Sequence, residues 1–478
     1  MPSKQPSSST PPPTGIHILI VGAGFAGLTA AIECARQGHT VLLLEKAPEL
    51  RPLGDIISFG SNAGRIFGRW DGVPAQMEPI SLRPAYFTIK SGRDGDVLYD
   101  QHWTDEEASW GTRYDGHRGE FHDIVYRHAL GLPGVEVRLG TRVEDYFEEE
   151  DRAGVVLETG ERIAADVVLA AEGVRSRGRK IVLGFEDKPK ASGYAVYRSW
   201  FPAGEIAKDP DLSWLVDAGD RHVAWLAPDI HFIAASLNGG KDFSWVCTHK
   251  DDKDIEESWQ YESPLSDARE VLEGWEPTIQ KILDKTPSPL IDWKLVYRDP
   301  LPTWISPGRR IALVGDAAHP FLPTSMQGAS QAMEDGATIA VCLRKAGAAA
   351  ADKGAGIREA IAAFEALRYE RVRSAQKTGE QTRDIWHKAD LVAARRDPPS
   401  LRLRREAWLL NFDAETYAEA NYDRTVEVLR RTGIRDTREA RDLHVVPEAR
   451  NGWVEYGKGK GEGKGEGEGG GVGVGVAI

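Results

Sequence analysis

The residue types best placed to do chemistry begin with Gly22-Ala23-Gly24-Phe25-Ala26-Gly27, followed by Glu45, 18 residues beyond the last of these glycines. A GxGxxG string of this kind suits a dinucleotide. Its first glycine permits a tight turn, its second lets the backbone approach a pyrophosphate, and its third lets a helix pack closely on a strand. Amide donors and the positive end of the helix dipole then face the anion. Glu45 is placed to accept hydrogen bonds from ribose hydroxyls, and its charge would repel a 2′-phosphate. These features fit FAD and NAD equally well.

Such a turn works only between a strand and a helix, and the flanking sequence supplies both. An apolar run, Ile16 to Val21, precedes the glycines; a helical pattern follows from Ala26 to Gln37, then a second β-like run from Thr40 to Glu45. Val167–Ala170 and Ile311–Val314 are further short apolar runs that stop at glycine and acidic residues, as buried parallel strands do where they deliver loops to a ligand. Three separated stretches are thus expected to join one sheet. Between them Tyr194–Phe201, His222–Ala227, His231–Leu237 and Phe243–His249 follow one another through short Pro/Asp/Gly links, which predicts an antiparallel meander. Beyond Gly328 the pattern is helical, through Ala332 to Leu343 and again where Ile357, Ile361, Phe364 and Leu367 form one apolar stripe. Ala407–Leu410 and Val426–Leu429 also read as helical.

Two later loops carry acidic residues to the same sheet edge: Asp166-Val-Val-Leu-Ala-Ala-Glu172-Gly173-Val-Arg175-Ser176, and Gly315-Asp316-Ala-Ala-His319-Pro320 with its continuation to Asp335. With these, and with Tyr114-Asp-Gly-His117-Arg118-Gly-Glu-Phe121, the chain from about Ile16 to Gln376 resembles the class A FAD-dependent monooxygenases, or flavoprotein aromatic hydroxylases, and among them the salicylate-hydroxylase-like fungal members. The resemblance implies that Asp316 offers its carboxylate to ribityl or ribose hydroxyls of FAD, and that Gly328 and Ala329, after Gln327, pass the flavin's pyrimidine edge. It also implies that Arg118 reaches the cofactor and that the backbone of Val143 meets the adenine. A helix N-terminus at the pyrimidine edge suits the negative charge of reduced flavin. His319, a loop histidine before proline, reads as positional. Relatives carry Asp-Gly where this chain has Glu172-Gly173, so no contact is transferred to Glu172.

The fold implied is α/β: a Rossmann-like FAD-binding lobe with an antiparallel-sheet substrate lobe of the aromatic-hydroxylase type and a C-terminal helical region. Its expected divisions are a disordered N-terminus over 1–15, the FAD-binding lobe over 16–190 and 301–350, the substrate lobe over 191–300, helices over 351–450, and a Gly-rich flexible tail over 451–478. The reaction implied uses NAD(P)H and dioxygen to hydroxylate or epoxidise a small aromatic or enolisable molecule through a flavin C4a-hydroperoxide, plausible for fungal secondary metabolism. A reductase or dehydrogenase on the same fold shares these FAD motifs. Within Gly193–Trp200, strand alternation places Tyr194, Val196 and Arg198 on one face. Arg198 is the expected catalytic residue, holding a phenolate, carboxylate or enol oxygen. Trp225, Phe232 and Trp245 are candidates for the pocket wall, although large aromatics in strands more often form core.

Composition sets the outer bounds. The 478 residues are 41% hydrophobic and 28% charged, enough for a sizeable core. Sixty basic against 73 acidic residues give a net charge of −13 and no basic face for phosphates, which disfavours nucleic-acid binding. Cys34, Cys247 and Cys342 lie far apart without CxxC or Cys/His spacing, so neither a disulfide framework nor a cysteine-built metal site is expected. Residues 3–13 are Ser/Pro-rich without the apolar stretch of a secretory signal, and no run approaches the ~20 apolar residues of a membrane helix. The expected compartment is therefore the cytoplasm. The Lys and Glu residues of the tail cancel in charge.

Overall fold

The computed structural model describes residues 12–50, 56–82, 84–188, 190–251, 261–349, 352–434 and 436–449. Its organising element is a five-stranded parallel sheet. In spatial order the strands are Ile311–Leu313, Val167–Ala170, His17–Val21, Thr40–Leu44 and Val135–Arg138. The three separated stretches thus meet side by side, with Ile18 opposite Val167 and Val168 opposite Ile311. Val167–Ala170 and Ile311–Leu313 are buried throughout, because helices and loops cover both faces of the sheet. The helix Phe25–Arg36 crosses from the first strand to Thr40–Leu44 and packs Leu28, Ala31 and Ile32 into the main core. A three-stranded antiparallel sheet, Val143–Glu148, Ala153–Leu157 and Arg162–Ala165, is appended before the strand Val167–Ala170.

The second lobe is an eight-stranded sheet. Its order is Tyr261–Ser263, Leu290–Tyr297, Lys190–Pro202, Asp242–Lys250, Ile230–Leu237, Arg221–Ala227, Tyr86–Ser91 and Val97–His102. Three successive strands from Arg221 to Lys250 do form a meander. The strand Lys190–Pro202, however, lies beside Asp242–Lys250 rather than beside its next neighbour in sequence. The lobe is also not confined to 191–300. Tyr86–Ser91 pairs in parallel with Arg221–Ala227, and Phe87, Ile89 and Leu98 join Ala224 and Leu226 in one buried cluster. Burial of that shared apolar face holds the two early strands in a lobe about 130 residues downstream.

At the chain's start, Thr14 donates its amide to the Gly38 carbonyl at 3.0 Å and its hydroxyl meets His39 Nδ1 at 2.7 Å. Ordered chain therefore begins before Ile16. Most of the 1–15 segment, and all of 451–478, lies outside the described residues.

Two long helices follow, and the second of them ties the lobes together. Gly328–Ala349 packs on Phe25–Arg36; Gly336 abuts the backbone of Ala30 so closely that an added Cβ would lie 2.8 Å from the Ala30 nitrogen. Lys353–His387, 35 residues and so about 52 Å at 1.5 Å per residue, buries Ile357, Ile361, Phe364 and Leu367 in the first lobe's core. Its far end places Trp386 in the cluster with Phe87 and Leu226 of the second lobe. Among the described residues no helix is long and apolar enough to cross a membrane.

Candidate active site

The glycine turn separates into parts that the chain needs and a part that it does not. Gly22 has φ +103°, and a Cβ there would lie 2.5 Å from the Ala171 carbonyl oxygen. A Cβ on Gly27 would lie 1.9 Å from the Gly22 oxygen. Both positions are therefore closed to any side chain by the neighbouring backbone. Gly24, which caps the helix Phe25–Arg36, has ordinary extended geometry and open space where its Cβ would stand. Nothing among the described residues excludes a side chain at Gly24, and its bare backbone at the start of a helix fits as a cradle for a dinucleotide pyrophosphate.

Glu45 steadies this cradle. Its Oε2 accepts the Ala23 amide at 2.8 Å and its Oε1 the Ala47 amide at 2.9 Å. The Thr141 amide donates to the Glu45 carbonyl at 2.8 Å, which brings the segment leading into Val143 alongside. The Val143 side chain itself is core, 6% exposed.

Arg118, exposed at the start of the helix Arg118–Leu130, holds its guanidinium 5.9 Å from the Phe25 ring. From the opposite side comes Asp316. Gly315, with φ +58°, lets this turn pass so close that an added Cβ would stand 2.8 Å from Ala26 Cβ. Asp316 is open to solvent yet closely surrounded by protein, so desolvation raises its carboxyl above the usual range while His319 and Arg118 pull it down. Gly22, Arg118 and Asp316 thus gather around the start of the helix Phe25–Arg36.

Behind the Asp316 turn lies a buried ionic network that the sequence patterns did not single out. Asp335 accepts the Gly315 amide at 2.9 Å and His319 Nε2 at 2.6 Å on one oxygen, and Arg368 Nε at 2.9 Å on the other. His319 is thus positional, as expected. Glu334 binds Arg368, and also Arg371 at 2.8 Å and Asn62 at 2.6 Å. The available signal was the Glu334-Asp335 pair inside an Ala-rich apolar helix, with Arg368 and Arg371 three apart on an apolar stripe. Gly328 and Ala329 open that helix half-buried, after Met326 turns at φ +52°. Glu172 is spent within its own turn, accepting Ser176 Oγ at 2.5 Å and the Gly178 amide at 3.4 Å.

One face of the large sheet meets the segments on either side of these residues. On the strand Lys190–Pro202, Tyr194, Val196, Arg198 and Trp200 alternate with Tyr197, which is buried in the opposite core. Trp200 meets His117 edge-on at 4.6 Å, next to Arg118, and Tyr194 borders a small cavity with Leu322, Pro323 and Thr324, in the loop leading to Gly328. Arg198, half-buried between them, lies 5.4 Å from the Trp293 ring. Trp225, Phe232 and Trp245 point the other way. They are at most 1% exposed in the far core, where the Trp225 indole donates to Glu276 and that of Trp245 to Thr286 at 2.9 Å, so they do not line the pocket.

Residues 16–375 match the family model described as FAD binding domain. The chain is 33% identical over 442 residues to asperlicin C monooxygenase of Petromyces alliaceus, covering 89% of this chain and 92% of that one. It is 34% identical over 431 residues to the FAD-dependent monooxygenase okaB of Penicillium ochrochloron, with 87% and 92% covered. The crystal structure of CtdE in complex with FAD and substrate 4 superposes with a TM-score of 0.80 at 32% identity, over 87% of this chain and all of that one. A salicylate hydroxylase substrate complex shares the fold, with a TM-score of 0.70 at 22% identity over 86% of this chain and 98% of that one. The chain therefore belongs to the FAD-binding-domain family, as an FAD-dependent monooxygenase of the class A flavoprotein type.

Proposed function

We propose that this enzyme uses NAD(P)H and dioxygen to hydroxylate or epoxidise a small aromatic or enolisable molecule held between the Arg198 face of the large sheet and the cleft bordered by Gly22, Arg118 and Asp316. The observation that carries this reading is the Tyr194–Trp200 face itself, which runs from the loop before Gly328 at one end to His117 at the other.

The bound FAD supplies electron transfer from the nicotinamide and activation of dioxygen. Gly22, Gly24 and Gly27 seat its pyrophosphate, with Glu45 at the ribose and the Val143 backbone toward the adenine. Arg118 donates charge-assisted hydrogen bonds. Asp316 would accept from ribityl or ribose hydroxyls, and the Gly328 and Ala329 amides would stand at the pyrimidine edge. Arg198 is the catalytic residue: its guanidinium holds an anionic phenolate or enolate oxygen, which raises electron density at the carbon to be attacked. Val196, Leu295, Leu322 and Pro323 keep water from that surface.

The test is anaerobic reduction of the purified flavoprotein by NADH and NADPH across a panel of phenols and indoles, followed by oxygen-uptake measurements. A substrate that accelerates flavin reduction and yields product matched to oxygen consumed is the expected result. Substrate reduction or oxidation without oxygen uptake would instead identify a reductase or a dehydrogenase, respectively.

A further inference from the structure

The cavity at the Tyr194 end of the substrate face has a feature that holding FAD does not require. Tyr194, Thr248, Leu295, Leu322, Pro323 and His387 wall it, with Arg383 beside them. His387, 4% exposed, is the last residue of the helix Lys353–His387 and the partner of a second buried histidine. His231 Nδ1 lies 2.8 Å from His387 Nε2, and His231 Nε2 lies 3.1 Å from Thr248 Oγ1. The remaining nitrogen, His387 Nδ1, is buried with no hydrogen-bond partner among the described residues. A buried polar atom without a partner is costly.

We propose that this cavity is a second anchoring subsite for the substrate, in which His387 Nδ1 hydrogen-bonds an uncharged amide- or lactam-type group. The proposal rests on the monooxygenase reading above and adds to it the shape and polarity of the substrate. Four residues of strand separate Tyr194 from Arg198, about 13 Å at 3.3 Å per residue. The substrate that reaches both ends is therefore extended, with its electron-rich ring near Arg198 and a neutral polar group near His387.

Neutrality follows from the surroundings. Burial holds both histidines well below their ordinary value, so neither offers a cation near neutral pH. The nearby charges are already paired: Arg383 donates to Asp384 at 2.8 and 3.1 Å, Lys388 shares that carboxylate at 2.9 Å, and Lys250 pairs with Asp229 at 2.7 Å. A carboxylate entering here has to compete with Asp384 for Arg383. An amide suits the chain of neutral groups because that chain has two proton arrangements. When Thr248 donates to His231, His231 donates to His387, and Nδ1 presents an N–H to a carbonyl oxygen. When every donor reverses, Nδ1 presents a lone pair to an amide N–H.

The test uses FAD-loaded protein without NAD(P)H and three probes that share one ring: indole-3-butanamide, indole-3-butanoate and 3-butylindole. Calorimetric dissociation constants are expected to favour the amide over both others. His387→Gln, which keeps an atom near Nε2 for His231 and loses Nδ1, should weaken the amide about tenfold and leave 3-butylindole unchanged. His387→Asn, which keeps an atom near Nδ1, should recover most of that loss. Equal affinity for amide and alkyl probes, equal weakening of all three by His387→Gln, or no binding of any probe would each overturn the subsite, and the wild-type order alone decides it where a variant does not accumulate. Amide preference in a protein that turns over no phenol or indole would leave the subsite standing and refute the reaction. Oxygen-coupled turnover with no amide preference would do the reverse.

Discussion

Asp335 holds Gly315 by its backbone: one carboxylate oxygen takes the Gly315 amide at 2.9 Å, so the turn carrying Asp316 is fastened to the long helix behind it. The same oxygen takes His319, and its partner oxygen takes Arg368, all within the protein interior. Asp335→Ala leaves the Arg368 guanidinium with one fewer counter-charge and frees the turn. Removing one member of a buried ionic cluster costs about 3–5 kcal/mol. The expected outcome is a protein of lower Tm that is isolated with less bound flavin. A variant of unchanged Tm and unchanged yellow colour would show that the turn does not depend on this carboxylate.

The glycines of the cofactor turn should separate by experiment as they do by geometry. Gly27→Ala forces a methyl against the Gly22 carbonyl and should destabilise even the cofactor-free protein, by about 1–3 kcal/mol or more. Gly24→Ala meets open space, so the apoprotein should unfold at the wild-type denaturant concentration while its affinity for FAD drops at least tenfold. Flavin fluorescence titration and urea denaturation of the apoproteins distinguish the two. Equal FAD affinity in Gly24→Ala and wild type would remove Gly24 from the pyrophosphate site.

Arg198→Ala should retain its flavin spectrum, since the residue belongs to the large sheet rather than to the glycine, Arg118 and Asp316 elements. Product formation should fall by roughly 10²-fold, the scale for losing one charge-stabilising donor. Arg198→Lys keeps the charge without the fork and should recover only part of this. Wild-type turnover in Arg198→Ala would end its assignment as the catalytic residue.

What was legible in the sequence was what short-range sterics or local periodicity determine. The turn Gly22–Gly27 needs only a strand before it and a helix after it, and the strands around Leu169 and Ala312 announce themselves as uninterrupted apolar runs. The alternation placing Arg198 on the face of Tyr194 also follows from strand geometry alone. What stayed hidden depends on partners distant in the chain. Tyr86–Ser91 joins the substrate sheet through Arg221–Ala227, and nothing in its own six residues specifies that neighbour. Asn62 meets Glu334 across 272 positions, and His231 meets His387 across 156. A lone histidine at the end of a helix and another in a strand carry no sign of each other until the helix Lys353–His387 crosses from one lobe to the other.

Five histidines enclosed by the fold give it a pH dependence with a definite sign. Burial lowers His39, His222, His387 and His444 to about 4 and His231, beside His387, to about 3, from an ordinary value near 6.5. Between those values and 6.5 the unfolded chain takes up protons that the folded chain refuses, so stability rises with pH through this window and is lost as pH falls below 6.5. Glu33 and Glu172, raised by burial, act oppositely, gaining stability as pH falls through their folded values. Each histidine contributes up to about 1.4 kcal/mol per pH unit, so five of them should dominate from pH 6.5 to 5.5. His444 isolates the effect because it lies outside the active site, bonded to Tyr417 at 2.8 Å and Thr425 at 2.9 Å. Denaturation midpoints should fall from pH 7.5 to 5.5 in the wild type and fall less in His444→Gln, by one proton's worth of slope. Stability that is flat or rising toward pH 5.5 would mean that these imidazoles are not held neutral by the fold.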